Sequence, residues 1–204
     1  MSSFTDVFNA NIHHFKALVD ILHERPHEWG GCGTYLVAAP NTRDYNPTMK
    51  AKQELLFETA KKATNVFEIG VHGAHSIFIM LLANPNLNVT CVDICYWRHV
   101  EKCVQYLNDH FGNKVTLIKG DSMRVLGGIE GTFDFIHVDG SHDYNYVKND
   151  IEHAHRLSTK DTVFIFDDYE SPAGQALKDD PRFVITEVPD CSWTNCIAKR
   201  ADNQ

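Results

Sequence analysis

Two apolar segments of this chain end in acidic residues that could bind a cation. The run at 133–138 is followed by Asp139, and the run at 163–166 is followed by Asp167 and Asp168. If both runs are parallel strands, their carboxyl ends meet at one edge of a sheet, where open α/β proteins bind ligands. Carboxylate oxygens at such an edge suit a hard divalent cation. We therefore predict one cation site formed by these acids.

A second candidate site follows the first predicted strand. Its turn contains Gly70 and Gly73, and a turn of this kind between a strand and a helix lets a ligand approach the backbone. A dinucleotide fingerprint that starts at Gly70 needs glycines where His72 and His75 stand, so this fingerprint fails. Glu68 precedes the turn and would repel a pyrophosphate. The turn therefore suits a ligand that carries a positive group.

The next two predicted strands also lead to acids. Asp93 comes about 20 residues after the glycine turn, where an acid can accept hydrogen bonds from both hydroxyls of a ribose. The third strand leads to Gly120, Asp121 and Ser122. Asp121 at that place could accept a hydrogen bond from an exocyclic adenine amine.

The order of the predicted elements explains how these residues come together. After residue 64, strands and helices alternate, which implies a parallel sheet with helices on both faces. The predicted strands are 66–69, 89–92, 115–118, 133–138 and 163–166, and the predicted helices are 74–83, 98–111, 122–126, 144–157 and 172–178. Two further strands, 182–188 and 193–199, are joined by a short loop and should form an antiparallel hairpin. The predicted fold class is α/β, a Rossmann-like, doubly wound and mostly parallel seven-stranded sheet.

The residues before this alternating core have a different pattern. Apolar residues at spacings of three and four predict an amphipathic helix at 4–22, capped by Ser3 or Thr5. Another helix is predicted at 48–62. The connector at 24–47 is long and rich in Gly, Pro and Asn. It is either a lid over a binding site or a strap over the sheet edge.

Composition limits the classes of protein to consider. A chain of 204 residues is most simply one domain, with N-terminal helices and a cap at 1–64 and the alternating core at 65–204. The net charge of −8 argues against a nucleic-acid surface. No apolar run approaches the ~20 residues that span a bilayer, and the first residues lack the pattern of a secretory signal. The six cysteines lack zinc-ribbon spacing, so we predict reduced thiols in a cytoplasmic protein.

From Asn65 onward, these motifs together resemble the class I S-adenosylmethionine-dependent methyltransferases, whose fold also ends in an antiparallel hairpin. The resemblance implies that the methyl donor lies on the ends of the first four strands. One departure is Ala74, which stands where the family's turn usually has a later glycine. The implied donor-binding residues are Glu68, Gly70, His72, Gly73 and Ser76 for the methionine part, Asp93 for the ribose, and Asp121 and Ser122 for the adenine, together with Asp139.

The acids after the fourth and fifth strands resemble those of the metal-dependent O-methyltransferases that act on catechols and on antibiotic sugars. By this resemblance, Asp139, Asp167 and Asp168 would bind Mg²⁺. His142, three positions after the strand-four acid, would be the catalytic base. Catechol enzymes have a lysine there, and some sugar enzymes have a histidine. The resemblance therefore implies Mg²⁺-dependent methylation of a hydroxyl on a small acceptor, with a sugar or polyol favoured over a catechol.

Structural roles remain open for the same residues. Asp139 could cap the helix that follows it, and Asp167 and Asp168 could cap the next helix or form a solvated turn. His142 could be a surface residue. His137 is predicted to be a core histidine, although a zinc site of His137, Asp139 and His142 is an alternative.

Two other classes of protein fit these residues less well. A non-catalytic ligand-binding domain is disfavoured by the complete set of acids with His142, and an NAD-linked oxidoreductase is disfavoured by the failed fingerprint and by Glu68. Three aromatic residues could wall an acceptor pocket or pack in the core: Tyr144, Tyr169 and Trp193.

Overall fold

A seven-stranded, mostly parallel sheet runs through the described part of the chain. The computed structural model describes residues 3–25, 34–39, 42–188 and 195–203. The strands are β1 (Asn65–Ile69), β2 (Asn88–Asp93), β3 (Val115–Lys119), β4 (Phe133–Val138), β5 (Ser158–Phe166), β6 (Phe183–Glu187) and β7 (Cys196–Arg200). Their spatial order is β3-β2-β1-β4-β5-β7-β6, and only β7 pairs antiparallel, with β5 and β6. The predicted fold class is therefore confirmed.

Helices cover both faces of this sheet. They are α1 (Phe4–Ala10), α2 (Ile12–His23), α3 (Lys50–Ala60), α4 (His75–Ala83), α5 (His99–Phe111), α6 (Ser122–Val125), α7 (Tyr144–Arg156) and α8 (Pro172–Lys178). Adjacent residues of a strand point to opposite faces of the sheet, so the strands contribute side chains to two separate hydrophobic cores. One core lies under α1 to α5 and includes Val66, Phe135 and Ile165. The other lies under α7 and α8 and includes Phe67, Ile136 and Phe164.

Two predicted boundaries are corrected by the structure. The single helix predicted at 4–22 is two helices, α1 and α2, which separate at Asn11. The Asn11 side chain donates to the carbonyl of Val7 (2.8 Å), and such a local hydrogen bond competes with continuation of the helix. β5 begins at Ser158, earlier than predicted, because the pairing of β4 with β5 contains a register shift that keeps the extra residues in the sheet. Ser3 caps α1, as predicted.

The described parts of the connector between α2 and α3 pack as a strap. Leu36 and Val37 have no exposed surface. Gln53 of α3 donates through Nε2 to the carbonyls of Tyr35 (2.6 Å) and Asn46 (3.0 Å). These bonds fasten the strap to α3, so both elements are held together beside the sheet.

Several predictions fall outside the described residues. They include the glycine-rich middle of the connector at 26–33, the hairpin loop around Pro189 and Asp190, the predicted strand start at Trp193, and Cys32 and Cys191. In the part of the chain that the structure describes, no helix is long and apolar enough to cross a membrane. The described cysteines are free thiols: Cys91, Cys95, Cys103 and Cys196.

Candidate active site

The ends of β4 and β5 bring the predicted acids to one edge of the sheet. The two strands pair as far as Val138 and Phe166, so Asp139 and Asp167 follow at the same level. The Asp167 amide donates to the Val138 carbonyl (3.0 Å). Burial, with Asp167 and Asp168 as like-charged neighbours, raises the pKa of Asp139 well above its usual range. This edge therefore brings three acidic groups close together, and the charged form of Asp139 is disfavoured there.

A buried lysine lies among these acids. Lys52 of α3 has a side chain that is 2% exposed, and its Nζ donates to Asp167 Oδ1 in an ion pair. The same ammonium lies 5.7 Å from the centre of the Tyr35 ring. Asp167 Oδ1 also accepts from the Asp168 amide (2.9 Å). Asp167 is thus held by a cation that the sequence analysis did not anticipate.

The third acid pairs with the predicted base. His142 Nε2 lies 2.8 Å from Asp168 Oδ2. This hydrogen bond raises the pKa of His142 and lowers the pKa of Asp168. Asp168 adopts a left-handed backbone conformation (φ 53°), which is uncommon for a residue with a side chain. The His142 side chain remains about half exposed (51%), so a second molecule can reach it.

A small cavity lies beside the ends of β4 and β5. It has a volume of about 20 Å³ and is lined by Asp139, His142, Asp167 and Tyr169, among others. That volume is roughly enough for a single water molecule. Tyr169 is 5% exposed, so it is both a core residue and a wall of this cavity. Tyr144 lies elsewhere, in a groove between α7 and the end of α8.

Glu68 and His137 form a buried pair inside the sheet. Neither has exposed surface. His137 Nδ1 lies 2.7 Å from Glu68 Oε1, and its Nε2 lies 3.0 Å from the Tyr35 hydroxyl. His137 is therefore a core histidine, as predicted, and the structure does not bring it to Asp139 and His142 as a zinc site. Glu68 Oε2 is buried and has no hydrogen-bond partner among the described residues.

Gly70 is required by the contact between the turns that follow β1 and β4. Its φ is +91°, and a Cβ at this position would lie 1.9 Å from the Asp139 carbonyl oxygen. No other residue type fits there without moving one of the two turns. Ala74, which stands where the resembling family usually has a later glycine, takes the left-handed conformation (φ 55°) just before α4. The chain thus keeps the glycine-like backbone without the glycine.

Asp93 fastens the turn after β1. Its Oδ2 accepts from the backbone amides of Val71 (2.8 Å) and His72 (3.1 Å), and its Oδ1 accepts from the Cys95 amide (2.6 Å). The residue predicted to hold a ribose therefore first holds the glycine turn in place. Ile94, which follows it, is 60% exposed.

The remaining predicted donor residues divide into buried and accessible groups. Gly73 and Ser76 are buried, and a Cβ on Gly73 would meet the Leu22 side chain of α2 at 3.1 Å. Asp121 remains partly exposed, and its Oδ1 caps α6 by accepting from the Met123 amide (3.0 Å). Ser122 forms a hydrogen bond with Asp150. Burial raises the pKa of Asp150 to about 6, and the hydrogen bond from Ser122 opposes this rise.

Two exposed apolar residues were missed by the sequence analysis. Ile94 follows β2 and Met123 follows β3 by a few residues, and both are largely exposed (60% and 47%). The turns that carry them are adjacent, since the Gly120 amide donates to the Asp93 carbonyl (2.9 Å). The available signal was an apolar residue one or two positions after each of the acids Asp93 and Asp121. They make this part of the edge suitable for a flat apolar ring.

The Rossmann-like sheet thus carries acids at the ends of β2, β4 and β5 and an accessible histidine–aspartate pair. The methyltransferase domain family matches residues 67–169. The chain belongs to this family, and the prediction of a methyltransferase is confirmed. No match was found among curated proteins.

Solved structures of methyltransferases share this fold. The O-methyltransferase from Bacillus cereus in complex with SAH has a TM-score of 0.65 and 17% identity, over 90% of each chain. SAH-bound PaMTH1 of Podospora anserina has a TM-score of 0.62 and 19% identity, over 74% of this chain and 78% of that chain. TomG of Streptomyces achromogenes, an O-methyltransferase in complex with SAM, has a TM-score of 0.60 and 16% identity, over 73% and 79%.

Proposed function

We propose that this protein is an S-adenosylmethionine-dependent O-methyltransferase that acts on a hydroxyl of a small acceptor, with a sugar or polyol favoured. The observation that carries the proposal is the half-exposed His142 paired with Asp168 (2.8 Å) at the carboxyl edge of a methyltransferase fold. Solved methyltransferases of the same fold hold SAH or SAM, which supports the same donor here.

The donor is proposed to lie over the ends of β1, β2 and β3. Asp93 would accept from the ribose, and Asp121 would accept from the adenine amine. The exposed side chains of Ile94 and Met123 would cover the adenine ring. The buried Glu68 Oε2, which lacks a partner among the described residues, is an acceptor that the donor's ammonium group could satisfy.

The proposed base is the Nδ1 atom of His142. A carboxylate only accepts hydrogen bonds, so Nε2 carries the hydrogen that is shared with Asp168, and Nδ1 keeps its lone pair. During transfer, the acceptor oxygen attacks the methyl carbon and the carbon–sulfur bond breaks. The hydroxyl proton passes to Nδ1, and the products are the methyl ether and S-adenosylhomocysteine. Asp168 orients the ring and stabilises the imidazolium that forms.

The magnesium ion predicted from the resemblance fits these residues poorly. In the described part of the chain, no three His, Cys, Asp or Glu side chains are arranged to hold a metal ion. Asp167 already binds Lys52, and Asp168 already binds His142. The Mg²⁺ requirement implied by the resemblance is untested, and the proposed proton transfer depends only on side chains of this chain.

The donor and the reaction can be tested separately. Titration calorimetry should show that S-adenosylhomocysteine binds more tightly than NAD; the reverse order would reject the methyl donor and favour an oxidoreductase. Methyl-labelled S-adenosylmethionine and a panel of sugars, polyols and catechols should then identify acceptors. His142→Ala should lower turnover by ~10²–10⁴-fold and leave S-adenosylhomocysteine binding unchanged, whereas His13→Ala, at an exposed histidine of α2, should change neither.

The pH dependence of turnover gives a further check on His142. A base must be neutral to accept a proton, and Asp168 raises the pKa of His142, so turnover should rise as the pH increases through a value above 6.5. Asp168→Asn should move this rise to lower pH. A His142→Ala enzyme that kept near-full turnover and the same pH profile would show that another group removes the proton.

A further inference from the structure

The cation at the predicted metal site is supplied by the chain itself. Lys52 approaches from α3, outside the alternating core, and its ammonium contacts Asp167. Its side chain is 2% exposed and that of Asp167 is 10% exposed, so water screens this pair poorly. Buried ammonium groups are rare unless paired, which makes this contact a built feature of the site.

The neighbouring carboxylate is satisfied in the same way. Asp168 Oδ2 accepts from His142 Nε2 (2.8 Å), and the Asp168 amide donates to Asp167 Oδ1 (2.9 Å). Two of the three acids predicted as magnesium ligands therefore have partners from the chain. A divalent ion between them would have to displace these partners and would lie against the Lys52 ammonium, a like charge in a poorly screened place.

We propose that Lys52 takes the place of the divalent metal in this enzyme, and that methyl transfer proceeds without Mg²⁺ or a similar ion. This inference rests on the proposed methyltransferase reaction and concerns the same site. Lys52 is a positioning residue: it neutralises and fixes Asp167, whose backbone leads directly to Asp168 and so to His142. The Tyr35 ring beside the ammonium (5.7 Å) and the Gln53 bonds to the strap hold Lys52 in place.

Metal binding by the wild-type protein is the first test, and it needs no variant. Mn²⁺ added to chelator-treated protein should remain free, as seen by its electron paramagnetic resonance spectrum. Turnover should be the same with a chelator as with Mg²⁺. Stoichiometric Mn²⁺ binding that is lost in Asp167→Asn, or turnover that requires Mg²⁺, would overturn the inference. Failure of S-adenosylhomocysteine to bind would instead reject the proposed function, so the two failures are distinguishable.

Variants of Lys52 test whether this residue keeps the ion out. Lys52→Ala removes the ammonium and leaves the acids, so it should gain Mn²⁺ affinity by about tenfold or more over wild type. Lys52→Arg keeps a cation at the site and should bind no Mn²⁺. Lys50→Ala changes an exposed lysine of the same helix whose ammonium lies 3.5 Å from Glu54; it removes an equal charge and should behave as wild type.

The outcomes remain decisive if one variant is unstable. Should Lys52→Ala fail to fold, the wild-type titration and Lys52→Arg still decide between the alternatives. A folded Lys52→Ala protein that binds no Mn²⁺ would show that Lys52 is not what excludes the ion, and this result would overturn the role given to it.

Discussion

Removal of the Asp93 carboxylate should affect stability and donor binding together. Its oxygens accept from three backbone amides, those of Val71 (2.8 Å), His72 (3.1 Å) and Cys95 (2.6 Å). Hydrogen bonds to a charged group contribute ~1.5–3 kcal/mol each, and an amide left without a partner costs about 1–3 kcal/mol when buried. Asp93 is only partly buried and the three bonds are not additive. We therefore expect Asp93→Ala to lower the free energy of unfolding by roughly 2–4 kcal/mol.

Denaturant titration and calorimetry measure the two effects of this substitution. For a chain of this size, 1 kcal/mol corresponds to ~2–4 °C in Tm, so Asp93→Ala should melt about 5–15 °C lower. Asp93→Asn retains one accepting oxygen and should lie between Asp93→Ala and wild type in stability. A stability of Asp93→Ala within ~0.5 kcal/mol of wild type, the size of an ordinary surface substitution, would refute the role of the carboxylate in holding the turn.

Binding of donor analogues distinguishes the contact of Asp93 with the ribose from its role in holding the turn. A carboxylate has about four lone-pair sites, and three amides use three of them, so about one remains for a ribose hydroxyl. Of the 2′-deoxy and 3′-deoxy forms of S-adenosylhomocysteine, one should therefore bind more weakly by ~1 kcal/mol and the other as well as the parent compound. Equal losses for both analogues would contradict this account and support the two-hydroxyl contact predicted from sequence.

Two further predictions concern stability. Gly70→Ala places a Cβ 1.9 Å from the Asp139 carbonyl at φ +91° and should destabilise the protein by about 2–5 kcal/mol. The control Gly112→Ala, at φ +80° with no atom within 4 Å of the new Cβ, should destabilise it by only ~1 kcal/mol. Equal losses of stability in denaturant titrations of the two variants would contradict the steric argument. Burial lowers the pKa of His75 from 6.5 to about 3, so between these pH values the unfolded chain binds a proton that the folded chain does not. The free energy of unfolding should therefore fall as the pH decreases from 6.5 towards 3, by up to about 5 kcal/mol at 1.36 kcal/mol per pH unit. His75→Gln should flatten this part of the curve of stability against pH, and an unchanged curve would show that other groups cause the fall.

The fold was predictable because its signals are local. Each parallel strand is a short apolar run followed by a helical pattern, and the connection rules for such units leave few arrangements. The same rules placed Asp139, Asp167 and Asp168 at one edge. The boundaries that were wrong depend on contacts the pattern does not contain, such as the Asn11 side chain on the Val7 carbonyl.

The partners of the site residues were less predictable, because they depend on approach from distant parts of the chain or from the backbone. Lys52 and Asp167 are separated by 115 positions in sequence. In α3 the buried residues include Lys52 and Gln53, two types that are mostly exposed in proteins, so a hydrophobicity pattern assigns them to the solvent face. The positive φ angles of His72, Ala74 and Asp168 are equally invisible, since these residue types do not require them.

The N-terminal elements therefore belong to the site and do not merely cover it. The strap carries Tyr35 to His137 (3.0 Å), and α3 carries Lys52 to Asp167. Without Lys52, the alternating core would present three carboxylates at the ends of β4 and β5 with no cationic partner for Asp167 among the described residues, and such a set would favour a metal ion. Because the strap and α3 are fastened to each other through Gln53, the ammonium is positioned by the same contacts that close this side of the sheet. The identity of the cation in this site is thus determined by residues outside the core motifs from which a metal would be predicted.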